Sequence, residues 1–176
     1  MIRQAPSTRG LGWPGRFING LSEVAGYASF AAILMAMTVI TYEVMARYLF
    51  RWATVWEIEA AVILLILTTF LGSAYALKYD AHVSMDMIEQ KLSFQKRNWL
   101  KLITSVVALL FCLFVSVKGW LMWWEAYETG WRSDSLWGPP LWIPYLFIPL
   151  GFSIMSLQYL VIIFNRIQAI RRGPHL

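Results

Sequence analysis

The chain has 176 residues, of which 59% are hydrophobic and 14% charged. Soluble domains carry about 45–50% apolar and about 25% charged residues, so the balance runs toward lipid. The net charge of +5 fits contact with anionic headgroups. A nucleic-acid partner would require a basic soluble face, and none is visible.

The segment 1–16 reads as a short polar tail containing Arg3 and Arg9. No charged residue or histidine occurs in the 19 residues between Glu23 and Glu43, which predicts a first membrane helix over about Phe17–Tyr48. The run lacks a small-residue cleavage site and reads as a retained span. Glu43 and Arg47, four apart near its far end, are spaced for an ion pair on one helix face. Arg51–Val55 form a short turn, with Thr54 a candidate cap for a second helix over Trp56–Lys78. Its charge-free run covers the 18 residues between Glu59 and Lys78. Glu57 and Glu59 stand at its start, where carboxylates oppose the positive helix end and where a partner subunit offers an alternative contact.

From Tyr79 to Gln95, apolar Val83, Met85, Met87, Ile88 and Leu92 alternate with Asp86, Glu89, Gln90 and Lys91. This pattern predicts a short amphipathic helix lying on the membrane surface, with Ser93 capping the helix that follows. The third helix is expected from Phe94 to Tyr127, around the 16 uncharged residues between Lys101 and Lys118. A polar loop over Glu128–Leu136 precedes Gly138, Pro139, Pro140 and Pro144, which shape the entry to the fourth helix. That helix runs to about Ile170 with Pro149 inside it, where a kink is expected. Residues 17–170 therefore form one all-α domain of four membrane helices and a surface helix, with tails at 1–16 and 171–176.

Lys and Arg fix the expected orientation. Eleven lie in the two tails and the loop between helices two and three; four lie in the other two loops. The positive-inside rule places both termini in the cytoplasm. All ten Trp fall at or near the predicted span ends, where indole prefers the headgroup boundary. Trp120, Trp123 and Trp124 share helical spacing, as a membrane anchor or as a surface for a partner helix.

The sequence carries no enzyme signature. Its only cysteine, Cys112, lies in mid-span, and its two histidines, His82 and His175, lie outside the spans. Neither a metal cluster nor a haem held by two in-membrane histidines is expected, and no cofactor is assigned. No phosphate loop or framed nucleophile is present. No ionisable residue stands at the centre of a span, where transporters place their coupling groups. An accessory or scaffolding role follows. The alternatives are a self-contained homodimeric transporter, for which Glu43 is the nearest in-membrane carboxylate, and a redox-complex anchor, which the histidine positions disfavour.

Four blocks in order then carry a resemblance. They are Arg47-Tyr48-Leu49-Phe50; Trp56 and Glu59 with Phe70-Leu71-Gly72; His82-Val83-Ser84-Met85-Asp86; and Ser135 through Pro140, Leu141, Trp142, Pro144 and Pro149-Leu150-Gly151-Phe152 to Leu157-Gln158. Together they resemble the small membrane (Q) subunit of tripartite ATP-independent periplasmic (TRAP) transporters, over roughly Ile40–Gln158. Departures occur at Ile58, Val62 and Asp80, where the family often has Glu, Arg and Gly. The resemblance implies a noncatalytic subunit in the inner membrane of a bacterium or archaeon. Such systems use a sodium gradient to import organic acids or related solutes. A periplasmic binding protein captures the solute, and a large membrane subunit moves it in an elevator manner. The small subunit packs against that large subunit's static scaffold. On this reading Arg47, Glu59, His82 and Asp86 are candidates for contact with the large subunit or lipid headgroups. Trp137 and Trp142 are candidates for the side that receives the binding protein. Helices one and two, not four, are expected to make most of the subunit contact.

Overall fold

A computed structural model describes residues 12–52, 54–79 and 94–172. Four helices account for most of them: α1 (Gly12–Leu49), α2 (Glu57–Lys78), α3 (Phe94–Thr129) and α4 (Trp142–Arg172). All four are long and apolar enough to cross a membrane. The 22 residues of α2 give a length of about 33 Å, one hydrocarbon thickness. α1 begins at Gly12, five residues before the expected Phe17. The expected surface helix, its residues His82 and Asp86, and the Ser93 cap lie outside the described residues.

The helices form two hairpins, α1 with α2 and α3 with α4, joined along a seam between α2 and α4. α4 is the most buried span and α3 the least. The contacts are built from small side chains. On α1 the buried stripe is Ser22, Ala25, Ser29, Ala32 and Ala36, while Phe30, Leu34, Met35 and Met37 point outward. Lipid is as apolar as leucine, so helices in a membrane associate through close backbone approach more than through burial of bulk. Glycines set the closest approaches. A Cβ on Gly26 would overlap the Tyr75 ring, and one on Gly151 would fall 2.5 Å from the Phe70 carbonyl oxygen across the α2–α4 seam. One on Gly119 would come within 3.2 Å of Pro149, which lies inside α4 as expected.

Hydroxyls within the helices mostly donate to the carbonyl four residues back, as Ser29 does to Ala25 at 2.8 Å and Thr104 to Leu100 at 2.9 Å. This keeps them satisfied without a partner helix. A few cross between helices. Thr68 donates to the Ser29 carbonyl at 3.3 Å, and the Ser116 and Ser153 hydroxyls meet at 2.8 Å. Phe152 joins the two hairpins, with its ring 5.7 Å from Phe70 of α2 and 6.3 Å from Phe111 of α3.

The turns use left-handed backbone. α3 ends on Gly130 at φ 66°, and the Trp131 N–H returns to the Ala126 carbonyl at 3.2 Å. This is the glycine-terminated cap that satisfies otherwise orphaned carbonyls. After α1, Arg51 adopts φ 54°, an uncommon conformation for a side-chain-bearing residue. There the N–H groups of Phe50 and Trp52 both reach the Ala46 carbonyl at 3.2 Å.

Candidate functional site

Polar and aromatic groups concentrate at the two ends of the bundle, so the candidate contacts lie there. At the end holding the α1–α2 turn and the α3–α4 connection, Arg47 Nη2 donates to Glu43 Oε1 at 2.6 Å. The i,i+4 spacing read from the sequence therefore does form a pair. Arg47 remains half exposed while Glu43 is mostly covered.

The start of α2 differs from expectation. Thr54 does not cap it: the cap position is Trp56, with no side-chain cap bond, and the Thr54 hydroxyl is buried without a partner among the described residues. Glu57 serves locally instead, its Oε2 accepting the Trp56 N–H at 3.1 Å. The Glu57 residue is only 1% exposed, and its Oε1 is unpartnered among the described residues. Glu59 accepts a hydrogen bond from the Ser133 hydroxyl, 74 residues on, which ties α2 to the α3–α4 connection. Its second oxygen is buried and unpartnered among the described residues. Both carboxylates sit in the first turn, where the helix dipole favours negative charge.

Around them stand aromatic rings. Trp137 meets Trp56 edge-on at 6.5 Å. Trp142 meets Tyr127 at 6.0 Å, and Tyr127 stacks on Trp123 at 5.8 Å. Trp120 packs edge-on against Trp123 at 5.5 Å, and its indole N–H donates to Ser153 at 3.3 Å. Trp56 and Trp137 also line an open apolar groove of about 640 Å³, whose walls include Leu34, Met35 and Val39 of α1 and Ile63 and Leu64 of α2.

At the opposite end, Lys78 Nζ donates to Glu23 Oε1 at 2.5 Å and to the Asn19 carbonyl at 3.2 Å. The Tyr79 hydroxyl donates to the same Glu23 oxygen at 2.5 Å. That bond to a carboxylate, reinforced by the neighbouring Tyr75, pushes the Tyr79 phenol well above its ordinary range. Gln158 of α4, 2% exposed, donates to Ser22 at 2.6 Å and to Asn19 Oδ1 at 3.3 Å. Three helices are thus clasped by one amide and one ion pair.

Of the residues singled out from sequence, the structure joins Glu59 to the connection that carries Trp137, and Arg47 to Glu43. Trp142 belongs to the α3 aromatic group. The clasp was not foreseen. Its signal is present in the sequence, since Glu23 and Lys78 are opposite charges at the same predicted level of adjacent helices. Among the described residues, no group of three His, Cys, Asp or Glu side chains could hold a metal ion.

Comparison with known proteins gives concordant results. The profile of the DctQ component of tripartite ATP-independent periplasmic transporters matches residues 36–169. The chain is 30% identical over 131 residues to the ectoine TRAP transporter small permease protein of Halomonas elongata, covering 73% of this chain and 66% of that one. It is 29% identical over 111 residues to the C4-dicarboxylate small permease protein of Rhodobacter capsulatus, covering 63% and 48%. With the sialic acid small permease protein of Vibrio cholerae it is 26% identical over 155 residues, covering 85% and 83%. The chain thus spans about two thirds and about half of the first two relatives.

Proposed function

The chain belongs to the DctQ component family of TRAP transporters, a family of noncatalytic transporter subunits, and on that premise we propose that it is the small membrane subunit of a sodium-coupled importer of an organic acid or related solute. In this role it scaffolds a large permease subunit within the inner membrane. Both termini lie in the cytoplasm, and the end bearing Trp137 and Trp142 faces the periplasm, on the side where a substrate-binding protein docks.

The observation that carries the reading is the match over residues 36–169 on four helices long and apolar enough to cross a membrane. No carboxylate stands at mid-span to serve as a coupling group. The relatives act on ectoine, C4-dicarboxylates and sialic acid, which supports a solute of that broad kind. Arg47 and Glu59 remain candidates for subunit or headgroup contact, Arg47 through its exposed side; His82 and Asp86 are proposed on sequence grounds alone. α1 and α2 make most of the subunit contact in this reading, and the burial of α4 within the chain supports its smaller share. Glu43, the carboxylate that a self-contained transporter would need, is engaged by Arg47, which favours the subunit reading.

Co-expression with the large permease encoded beside it tests the proposal. A tagged chain extracted in mild detergent is expected to bring down that permease in equal amount, with sodium-driven uptake lost when the chain is omitted. Purification alone as a homo-oligomer that moves solute in liposomes would overturn it.

A further inference from the structure

The connection between α3 and α4 is a small, internally bonded hairpin. Arg132 and Pro140 pair as an antiparallel bridge. The Ser133 N–H donates to the Pro139 carbonyl at 3.0 Å, and the Leu141 N–H to the Trp131 carbonyl at 2.9 Å. At the apex Gly138 turns the chain with φ 58°, and its N–H is taken up by the Ser135 hydroxyl at 3.1 Å. These backbone groups are therefore satisfied without water or a neighbouring chain.

The apex is apolar. Leu136 is 92% exposed, the highest value among the large hydrophobic residues described, and Trp137 follows it. The hairpin does not project away from the bundle. Ser133 ties it to Glu59 in the first turn of α2, and Trp137 lies against Trp56. Trp137 also lines the same open groove as Leu34, Met35 and Val39 of α1 and Ile63 and Leu64 of α2, all residues of membrane spans. Its ring is thereby held beside the start of α2 and against the flank of those spans. The hairpin's charges, Arg132 and Asp134, sit on the incoming arm, and none lies between Leu136 and Pro140.

We propose that this apex, Leu136 with Trp137, is inserted into the lipid leaflet at the Trp-rich end of the bundle. The connection is then an interfacial anchor and not a free extramembrane loop. Leucine gains apolar surroundings it lacks within the chain, and indole occupies the headgroup boundary it prefers. The anchor holds α2 and the α3–α4 hairpin at one common depth, whichever solute or partner the transporter uses.

Nitroxide accessibility tests this directly. The full chain carrying Leu136→Cys, with any co-purifying subunit retained, is spin-labelled in vesicles of phosphatidylethanolamine and phosphatidylglycerol. Cys112 is buried, so labelling of the parent chain measures the background. Val107→Cys, outward on α3, and Glu128→Cys, near its end, serve as lipid and water references. The label at position 136 is expected to collide with oxygen severalfold more often than with a nickel chelate, as at position 107. Collision with the chelate as frequent as at position 128 would overturn the proposal. So would a label immobilised and shielded from both reagents, since a protein would then cover the apex.

Discussion

The two ends of the bundle are closed by different chemistry. At one, Glu23, Lys78, Tyr79, Asn19, Ser22 and Gln158 tie three helices with directed bonds, all but one between 2.5 and 3.3 Å. At the other, rings at centroid separations of 5.5–6.5 Å pack around a backbone hairpin, with one hydroxyl–carboxylate bond to α2. Directed bonds fix register, because a shift of an ångström breaks them. Rings tolerate small shifts and contribute mainly through contact area. The contrast teaches that the clasp sets the relative depth of α1, α2 and α4, while the ring end adapts to its surroundings.

Breaking the clasp should have the largest effect. Lys78→Met leaves Glu23 without its cation in a partly covered site, and a loss of about 2 kcal/mol is expected. The check is the thermal midpoint of the detergent-extracted chain or its complex. Adding Glu23→Gln should recover part of that loss, because the stranded charge is then gone; no recovery would mean the pair is not the source of the effect. At the opposite end, Trp137→Ala removes one edge-to-face contact, and about 1 kcal/mol is expected. A loss as large as that of Lys78→Met would erase the distinction between the ends.

The smallest effect concerns pH. The raised Tyr79 phenol means that its bond to Glu23 contributes fully below the unfolded-state tyrosine pKa of about 10. That contribution is lost only as pH climbs through the higher folded value. Difference absorbance of tyrosinate, wild type minus Tyr79→Phe, should show Tyr79 ionising after the ordinary tyrosines. Ionisation together with them would show that the clasp bond is absent in solution.

Much of this architecture is written in where charge is missing. The runs after Glu23, Glu59, Lys101 and Asp134 locate the four spans, and the ends of α2, α3 and α4 fall within two residues of expectation. Charge-free length states how far a helix can cross lipid, and little else about it. It does not reveal which face packs, since the buried side of α1 is marked by Ser and Ala instead of by large apolar residues. Thr54 misled because hydroxyl-before-helix is a local rule, whereas Glu57, drawn into the interior, takes the Trp56 N–H itself. The Ser133–Glu59 and Gln158–Ser22 bonds join residues 74 and 136 apart, and no window of sequence relates such positions. The Glu43–Arg47 pair was legible because a helix alone fixes it.

The stripe of Ser22, Ala25, Ser29, Ala32 and Ala36 carries a consequence for how such a chain tolerates change. Wherever its outward positions meet lipid, they face a solvent that accepts nearly any apolar group, so Leu, Ile, Phe and Met are interchangeable there at little cost. Its inward positions admit only side chains no larger than the gap between two backbones. The alphabet is wide on one side of the helix and, in this stripe, two letters long on the other. A helix of this kind can therefore drift far in sequence while its path through the membrane stays put.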